Sequence, residues 1–514
     1  MNCDYILFSH LYEKTLTELL APGNEWLQEL VELLHDSRTP GMAVLFYHSG
    51  WQGLVRGALL GTADERSIHE ARQAGELAQQ IEAIAAQHSP QGINRLRVVT
   101  ALDLLPLVQK VESNHPEIPV QQLANYFGTN FSGSRYDFPK LVESFLRLRS
   151  PAEAPVLRID QDVLFNEIAD EETGLSAPAA LRSPIQLMVT QYRHHQSRPD
   201  HKPFLISGRY QGNSSYGQTS SWPPTEWLST FATRPYPALI VNASGDLQFE
   251  NATLRAYYGI DATGTRLEIT ADGQPTGLSR IGAPPLSSPI SGALLVLSQE
   301  LAAATPPFCN FRTNVVWIDD FLNYAVHREL LRTADHFPSC EFSQSPLYSD
   351  CRVAKARPGI DDAREYARMH YLPALVRGCI VDAWIQPDVR TKIDTQRIAP
   401  PGPFILHLQS AQQSGGMPPI ATRQCREELK QSALLRLNEV REQWSNLPNA
   451  TPHPTLAAEW ISEGNLAAQI DLDILLDDTL EYIEWAAAWP KVIETVRSVP
   501  WGTLKIDLPV RQQR

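Results

Sequence analysis

A strand, helix, strand pattern between residues 41 and 100 decides the predicted fold of this chain. The apolar run GMAVLFY (Gly41–Tyr47) and the β-branched run RLRVVT (Arg95–Thr100) are both typical of buried strands. Between them, Thr62–His88 carries apolar residues at helical spacing, with acidic residues near its start. Because two parallel strands need a crossover connection of this kind, the pattern predicts neighbouring parallel strands.

The same alternation continues on the C-terminal side. Helices are predicted over Val120–Phe127, Phe138–Arg149 and Pro184–His195, and a strand is predicted over Pro203–Ser207. The run APVLRIDQDVLF (Ala154–Phe165) predicts a further strand that ends in acidic residues. We therefore expect an open, mostly parallel, Rossmann-like α/β sheet that binds ligands beyond the carboxyl ends of its strands.

The C-terminal third of the sequence differs from the rest in its hydrophobic pattern, which is mainly helical. Long amphipathic helices are predicted there, over Asp361–Ala383, Cys425–Trp444, Leu456–Ile470 and Leu475–Val496. A Ser/Pro-rich stretch, ADHFPSCEFSQSP, precedes them. We predict an α/β domain over residues 1–340, with a large insertion at about 205–285, and a mainly α-helical C-terminal domain over residues 341–514.

Composition and charge exclude several classes of function. The 514 residues include 43% hydrophobic and 20% charged residues, which is ordinary globular usage. The 44 basic and 58 acidic residues give a net charge of −14, and no run is rich in Lys and Arg. We therefore expect no nucleic-acid partner and no electrostatic attachment to an anionic membrane.

The sequence shows no clear motif for disulfide or zinc chemistry, for secretion or for insertion into a membrane. The six cysteines form no C-x-x-C pair, which argues against a zinc knuckle or a disulfide framework. His194 and His195 end a helical pattern, and exposed polar surface is the expectation for them rather than metal binding. The N-terminal residues predict no signal peptide, and no apolar run approaches the roughly 18 residues of a transmembrane segment. A cytoplasmic protein without a transmembrane segment is predicted.

The strongest candidate site is Asp160-Gln161-Asp162, which follows the strand pattern VLRI. Two carboxylates one residue apart at a strand end offer hard oxygen ligands to Mg²⁺ or Mn²⁺, and the metal would bridge the phosphates of a nucleotide. An acidic chain needs such a metal to hold a diphosphate. The pattern also fits a solvated strand end with no ligand.

A second acidic motif, Asp319-Asp320, begins a helical pattern after Trp317. Acids at a helix start are common capping residues. A carboxylate in an apolar setting beside Trp317 would have the raised pKa that a general base needs, and the indole could stack on a sugar. Upstream, Ser291-Gly292-Ala293 is a small-residue turn at which a backbone can approach a ligand closely.

Together these three segments resemble the family 2-like glycosyltransferases of the GT-A fold. In that family a D-x-D closes a central strand and binds the metal of a nucleotide sugar. A Gly-Gly-Ala-like turn and an apolar strand follow, and an acidic pair that opens a helix supplies the catalytic base. The resemblance covers roughly residues 40–335 and implies a GT-A type domain.

The resemblance also implies roles for individual residues. Asp160 and Asp162 would bind Mn²⁺ or Mg²⁺, and Asp320, with Asp319 beside it, would be the catalytic base. The implied donor- and acceptor-binding residues are Gln161, Ser291, Gly292, Ala293, Trp317, His327 and Arg328. His48 and Asp103, which follow the first two predicted strands, are positional candidates for the nucleotide-base pocket.

The implied activity is transfer of a sugar from a UDP- or GDP-sugar to a hydroxyl of a glycan, lipid-linked or protein acceptor. Inversion at the anomeric carbon is expected. A Q-x-x-R-W motif is absent from the sequence, which favours a non-processive enzyme over a polysaccharide synthase. The gap between the two acidic motifs is longer than the family usually shows, which is why residues 205–285 are treated as an insertion.

Two alternatives remain open. A haloacid dehalogenase-like, Mg²⁺-dependent phosphatase would use Asp160 as a nucleophile and Asp319-Asp320 to hold the metal. Its commoner motif has Thr or Val where this chain has Leu164. A non-enzymatic binding or scaffold protein with an incidental acidic site is the other alternative.

Overall fold

The architecture comes from a computed structural model of the chain. It describes residues 3–11, 16–21, 25–35, 39–47, 52–89, 93–128, 137–150, 154–159, 163–164, 184–199, 203–211, 240–241, 247–248, 265–269, 275–280, 294–304, 306, 341–351, 372–385, 401–445 and 466–499.

Twelve strands lie in the described part of the chain. In chain order they are β1 (Tyr5–Leu11), β2 (Gly41–Tyr47), β3 (Leu96–Thr100), β4 (Val156–Ile159), β5 (Val163–Leu164), β6 (Phe204–Gln211), β7 (Ile240–Val241), β8 (Leu247–Gln248), β9 (Thr265–Ile269), β10 (Pro275–Arg280), β11 (Leu294–Leu297) and β12 (Glu341–Cys351). Strands β7 with β8, and β9 with β10, form two small antiparallel pairs.

The other eight strands form one sheet in the order β3-β2-β1-β4-β11-β6-β12-β5. Strands β3, β2, β1 and β4 are parallel to one another. Strand β11 is antiparallel to both β4 and β6, so β6 points the same way as β4, and β12 is parallel to β6. The prediction of a mostly parallel α/β sheet is confirmed.

Helices cover the sheet and form the C-terminal region. They are α1 (Leu16–Leu19), α2 (Glu25–Leu34), α3 (Gly57–Leu60), α4 (Glu65–Gln87), α5 (Ala101–Asn114), α6 (Val120–Gly128), α7 (Asp137–Arg149), α8 (Pro184–Ser197), α9 (Gln299–Ala304), α10 (Leu372–Ile385), α11 (Pro403–Ser414), α12 (Pro419–Ser445), α13 (Leu466–Gln469) and α14 (Leu472–Ser498). A π-helical turn, Gln52–Arg56, precedes α3. None of the described helices is both long and apolar enough to cross a membrane.

Side chains of the sheet alternate between two cores, as the pleat requires. Ile6 and Phe8 of β1 belong to a core that also contains residues of α5, α6, α7 and α14. Tyr5, Leu7 and Leu11 belong to the opposite core, with residues of α1, α2, α4 and α8. Helices therefore lie on both faces of the sheet, which explains why five of the seven residues of β1 are hydrophobic.

The last helix, α14, packs against the α/β part of the molecule. Trp485 stacks on Tyr126 of α6, with ring centroids 4.3 Å apart, and meets Phe127 edge-on at 5.2 Å. Trp489, one turn further along, contacts Trp485 at 5.7 Å. The helical C-terminal region is confirmed, and its last helix shares a core with the sheet. The domain boundary near residue 340 stays a prediction.

Three strands differ from the sequence-based expectation. Central strand β1 is not predicted, because the polar pair Ser9-His10 interrupts its apolar run. Strand β12 falls partly in the Ser/Pro-rich stretch that suggests a linker, yet its backbone pairs with β6. The single strand expected over Ala154–Phe165 is two strands, β4 and β5, which pair with different neighbours.

Candidate functional site

The carboxyl ends of the parallel strands define the candidate site. From β1 the chain passes through β2 to β3 on one side, and β4 lies on the other side of β1. The strand order therefore reverses between β1 and β4. Open α/β sheets bind ligands in the crevice beyond the carboxyl ends of the strands at such a switch point.

Two of the predicted motifs, the D-x-D motif and the small-residue turn, are next in sequence to two residues that pair at the carboxyl end of β4. The D-x-D motif directly follows Ile159, the last residue of β4, and Ala293 directly precedes Leu294, the first residue of β11. Ile159 and Leu294 are antiparallel partners. Because partners in an antiparallel pair have Cα atoms about 5 Å apart, the pairing joins two segments that are distant in the sequence.

The predicted site residues themselves lie outside the described part of the chain. These are His48, Asp160, Gln161, Asp162, Ser291, Gly292, Ala293, Trp317, Asp319, Asp320, His327 and Arg328. Among the described residues, no group of three or more His, Cys, Asp or Glu side chains could hold a metal ion. The metal, donor and catalytic roles therefore stay predictions.

Asp103, the described candidate for the base pocket, stabilises a helix start. Its Oδ2 accepts hydrogen bonds from the backbone N and from Oγ1 of Thr100, both at 2.9 Å. Thr100 ends β3 and precedes the first residue of α5. This carboxylate oxygen thus fixes the turn between β3 and α5, as an acidic residue in the first turn of a helix commonly does.

Sequence reasoning missed two buried polar residues at the switch point, Ser9 and His10 of β1. The His10 ring stacks on Phe46 with centroids 5.7 Å apart. Ser9 Oγ has no hydrogen-bond partner among the described residues. The β1–β4 register pairs Phe8 with Arg158, so the next step brings Ser9 level with Ile159. A Ser-His pair inside an otherwise apolar strand is the signal that could have identified them.

A buried ionic cluster connects helix α7 with strands β4 and β11. Glu143 and Arg147 are one turn apart on α7, and their side chains are only 5% and 2% exposed. Glu143 Oε1 accepts a hydrogen bond from Arg147 Nε at 2.9 Å, and Glu143 Oε2 lies 3.7 Å from Arg158 Nη1 on β4. Arg147 Nη1 donates to the backbone O of Leu297 on β11 at 3.1 Å. One carboxylate and two guanidinium groups thus connect α7 with both strands.

The segment that follows β11 is held by the C-terminal helices. Three of their side chains donate hydrogen bonds to its carbonyls: Gln412 to Ala304 at 3.0 Å, Tyr482 to Pro306 at 2.5 Å and Trp489 to Ala302 at 3.2 Å. The acidic pair Asp319-Asp320 follows this segment in the sequence, beyond residues 307–318. The C-terminal helices therefore fix the start of the chain segment that leads to the predicted base.

Comparison with protein-family models, with curated proteins and with solved structures found no match. The resemblance to the GT-A glycosyltransferases thus rests on the motifs of this sequence.

The two histidines of α8 correct an expectation of exposed surface. His195 is buried, and its ring stacks on Phe204 of β6 with centroids 4.8 Å apart. Burial, with smaller contributions from His195 and Arg198, lowers the pKa of His194, so its imidazole is neutral at pH 7. His195 therefore belongs to the packing of α8 against the sheet, and the half-buried ring of His194 lies edge-on to the ring of His195.

Proposed function

We propose that this chain is a metal-dependent glycosyltransferase of the GT-A type, which moves a sugar from a UDP- or GDP-sugar to an acceptor hydroxyl. The observation that carries the proposal is the pairing of Ile159 with Leu294. The resemblance assigns donor binding to the D-x-D motif, which follows Ile159, and to the small-residue turn, which precedes Leu294. Strands β4 and β11 pair at these two residues. The position of β4 at the switch point gives independent support.

Asp160 and Asp162 would hold the metal in this proposal. Their carboxylates are the hard oxygen ligands that Mn²⁺ and Mg²⁺ prefer. The bound metal supplies positive charge for the departing diphosphate. A chain with a net charge of −14 and no basic run has little other means of stabilising that charge.

Asp320 would accept the proton of the acceptor hydroxyl while the hydroxyl oxygen forms a bond to the anomeric carbon. The bond from that carbon to the diphosphate breaks in the same step, so the configuration inverts. The acceptor class expected from the resemblance is a glycan, a lipid-linked molecule or a protein.

The phosphatase alternative explains fewer of these features. It uses Asp160 as the nucleophile but gives no role to the small-residue turn Ser291-Gly292-Ala293. The pairing of β11, the strand that follows this turn, with β4 therefore favours a transferase.

A panel of nucleotide sugars tests the proposal. We expect one class of UDP- or GDP-sugar to raise the melting temperature only when Mn²⁺ or Mg²⁺ is present, and EDTA to abolish the shift. Slow, metal-dependent hydrolysis of the same donor is the matching activity. Turnover of phosphomonoesters that is lost in Asp160→Asn would contradict the proposal and support the phosphatase.

A further inference from the structure

Side chains close the outer edge of strand β3. Among the described strands, β3 is the last strand of the eight-stranded sheet, next to β2. A strand at the edge of a sheet presents unpaired backbone N–H and C=O groups, and these can pair with a strand of another chain. The partners of the outward-facing N–H groups of β3 therefore decide whether the sheet can grow there.

The pairing with β2 shows which N–H groups of β3 face outward. The two strands are parallel, and the backbone N of Ala43 in β2 donates to the backbone O of Arg95 at 2.8 Å. Because successive residues of a strand direct their backbone groups to opposite sides, the odd-numbered residues of β3 face β2. The N–H groups that face away from β2 are those of Leu96, Val98 and Thr100.

Each outward N–H group donates to a side-chain oxygen. The three bonds are Leu96 N to Asn94 Oδ1 at 2.9 Å, Val98 N to Glu82 Oε1 at 2.8 Å and Thr100 N to Asp103 Oδ2 at 2.9 Å. An incoming strand would have to displace these acceptors before its own carbonyls could bond to β3. We call Asn94, Glu82 and Asp103 the edge caps of β3.

Two of the edge caps have a local explanation, but Glu82 does not. Asn94 accepts from an N–H two residues later, as Asx turns do, and Asp103 caps the start of α5. Glu82 belongs to α4, and its bond to Val98 joins residues 16 positions apart and reaches the middle of the edge strand. Such a bond serves neither a turn nor a helix end.

Stability alone is a poor explanation of Glu82. The glutamate is buried, and burial raises the pKa of its carboxyl because removing the charge from water is unfavourable. Apolar residues of α4, such as Ala78 and Ile81, already pack in the same core as side chains of β3. Arg97 donates to Oε2 of Glu82, which holds the carboxylate in place while Oε1 accepts from Val98.

We propose that the edge caps, with Glu82 at their centre, prevent a second copy of this chain from adding its β3 to this edge of the sheet. Two identical edges would meet about a two-fold axis, which is the commonest symmetry of homodimers. A strand that approaches the capped edge finds the three outward N–H groups already bonded. The inference uses no metal-binding or catalytic residue of the proposed function and stands independently of it.

Two double variants test this proposal. The open variant, Glu82→Leu with Asn94→Ala, removes two of the three edge caps. The closed variant, Glu82→Gln with Asn94→Asp, keeps an acceptor oxygen at both positions and leaves the net charge of the chain unchanged. Light scattering measures the mass of each protein over a range of concentrations, and amide hydrogen exchange follows the N–H of Val98.

Glu143→Leu controls for the loss of a buried carboxylate. The side chain of Glu143 is 5% exposed, and its carboxylate contacts the guanidinium groups of Arg147 on α7 and Arg158 on β4. Strands β2 and β1 separate β4 from β3. The control variant therefore leaves the edge caps in place.

We expect the open variant to associate as its concentration rises, with an apparent mass that approaches twice that of wild type. The closed variant and Glu143→Leu should keep the wild-type mass. In the open variant, exchange at Val98 should be faster than in wild type when dilute, and should slow as copies associate and the N–H finds a strand partner. Where the open variant does not fold, Glu82→Asp with Asn94→Ala replaces it, because the shorter acid loses the bond to Val98.

A wild-type mass at every concentration in the open variant, or in its replacement, would overturn the proposal. Association of the closed variant to the same extent would also overturn it, because the acceptor oxygens would then be irrelevant. Equal association of Glu143→Leu would mean that the loss of any buried carboxylate is sufficient. A wild-type protein in which exchange at Val98 slows with concentration would show that the edge caps do not exclude a second copy.

Discussion

At the residue scale, the proposed chemistry depends on single carboxylates. Asp320 stands at the start of a helical pattern, where an acid could simply cap the helix, and the sequence supports both roles. Asp103 illustrates the capping outcome, since its carboxylate bonds to Thr100 at the start of α5. The position of an acidic residue after a strand does not by itself distinguish a catalytic role from a capping role. The hydrogen-bond partners of its carboxylate are needed to distinguish them.

Asparagine at position 320 separates the two roles. Asp320→Asn keeps a capping oxygen but cannot accept a proton, so the variant should fold with a near-native melting temperature and still bind metal and donor. The transfer rate should fall by about 10²- to 10⁴-fold. Asp319→Asn is the control and should have a smaller effect. A wild-type transfer rate in Asp320→Asn would mean that the acidic pair is structural.

At the element scale, the bounds of several elements were predictable because their determinants are local. Strand β2 has the predicted bounds, and α4 begins where Asp64 accepts a hydrogen bond from the backbone N of Ser67 at 2.7 Å. Pairings between distant strands were not predictable. Nothing in the runs around Ile159 and Leu294 indicates that they are partners, because a strand pattern carries no information about its neighbour.

Helix α14 illustrates a second limit, since its interior proline changes which hydrogen bonds it needs. Pro490 has no N–H, so Ala486, four residues earlier, lacks its usual helical donor. Gln412 of α11 supplies one, with Nε2 3.3 Å from the carbonyl O of Ala486. The same amide donates to the carbonyl O of Ala304 at 3.0 Å. A proline that breaks a helix pattern is therefore compensated by a residue far away in the sequence.

A double-mutant cycle tests this compensation. Gln412→Leu should lower the free energy of unfolding by about 1–3 kcal/mol, because it leaves two partly buried carbonyls without this side-chain donor. In a Pro490→Ala background the loss should be smaller, because the restored N–H of residue 490 can bond to Ala486. Denaturation in urea measures both values. Equal losses in the two backgrounds would show that Pro490 and Gln412 are independent.

At the scale of the whole molecule, the C-terminal helices and the sheet share structure. Trp485 and Trp489 of α14 belong to the same core as residues of β1 and α6. The sequence predicts α14 as an amphipathic helix, but most of its circumference is buried. Its partners include α5, α6 and α7 from the N-terminal half of the chain as well as α11 and α12, and such long-range packing cannot be predicted from helical periodicity alone.

A shared core predicts cooperative unfolding. The described α/β part and α14 should lose structure in one transition, with tryptophan fluorescence and far-ultraviolet circular dichroism giving the same midpoint. Trp485→Ala should lower the stability of both parts together, by about 3–5 kcal/mol. A separate early transition that removes only helical signal would contradict this expectation, because it would mean that the C-terminal helices unfold alone.

Calorimetry of nucleoside diphosphate binding, with and without Mn²⁺, tests whether this protein holds its sugar donor through a metal ion. We predict that UDP or GDP binds only when Mn²⁺ or Mg²⁺ is present, and that Asp162→Ala abolishes this binding while the protein stays folded. The reason is that an acidic chain needs the metal between its carboxylates and the phosphates. Equal affinity in EDTA, or unchanged binding in Asp162→Ala, would contradict it.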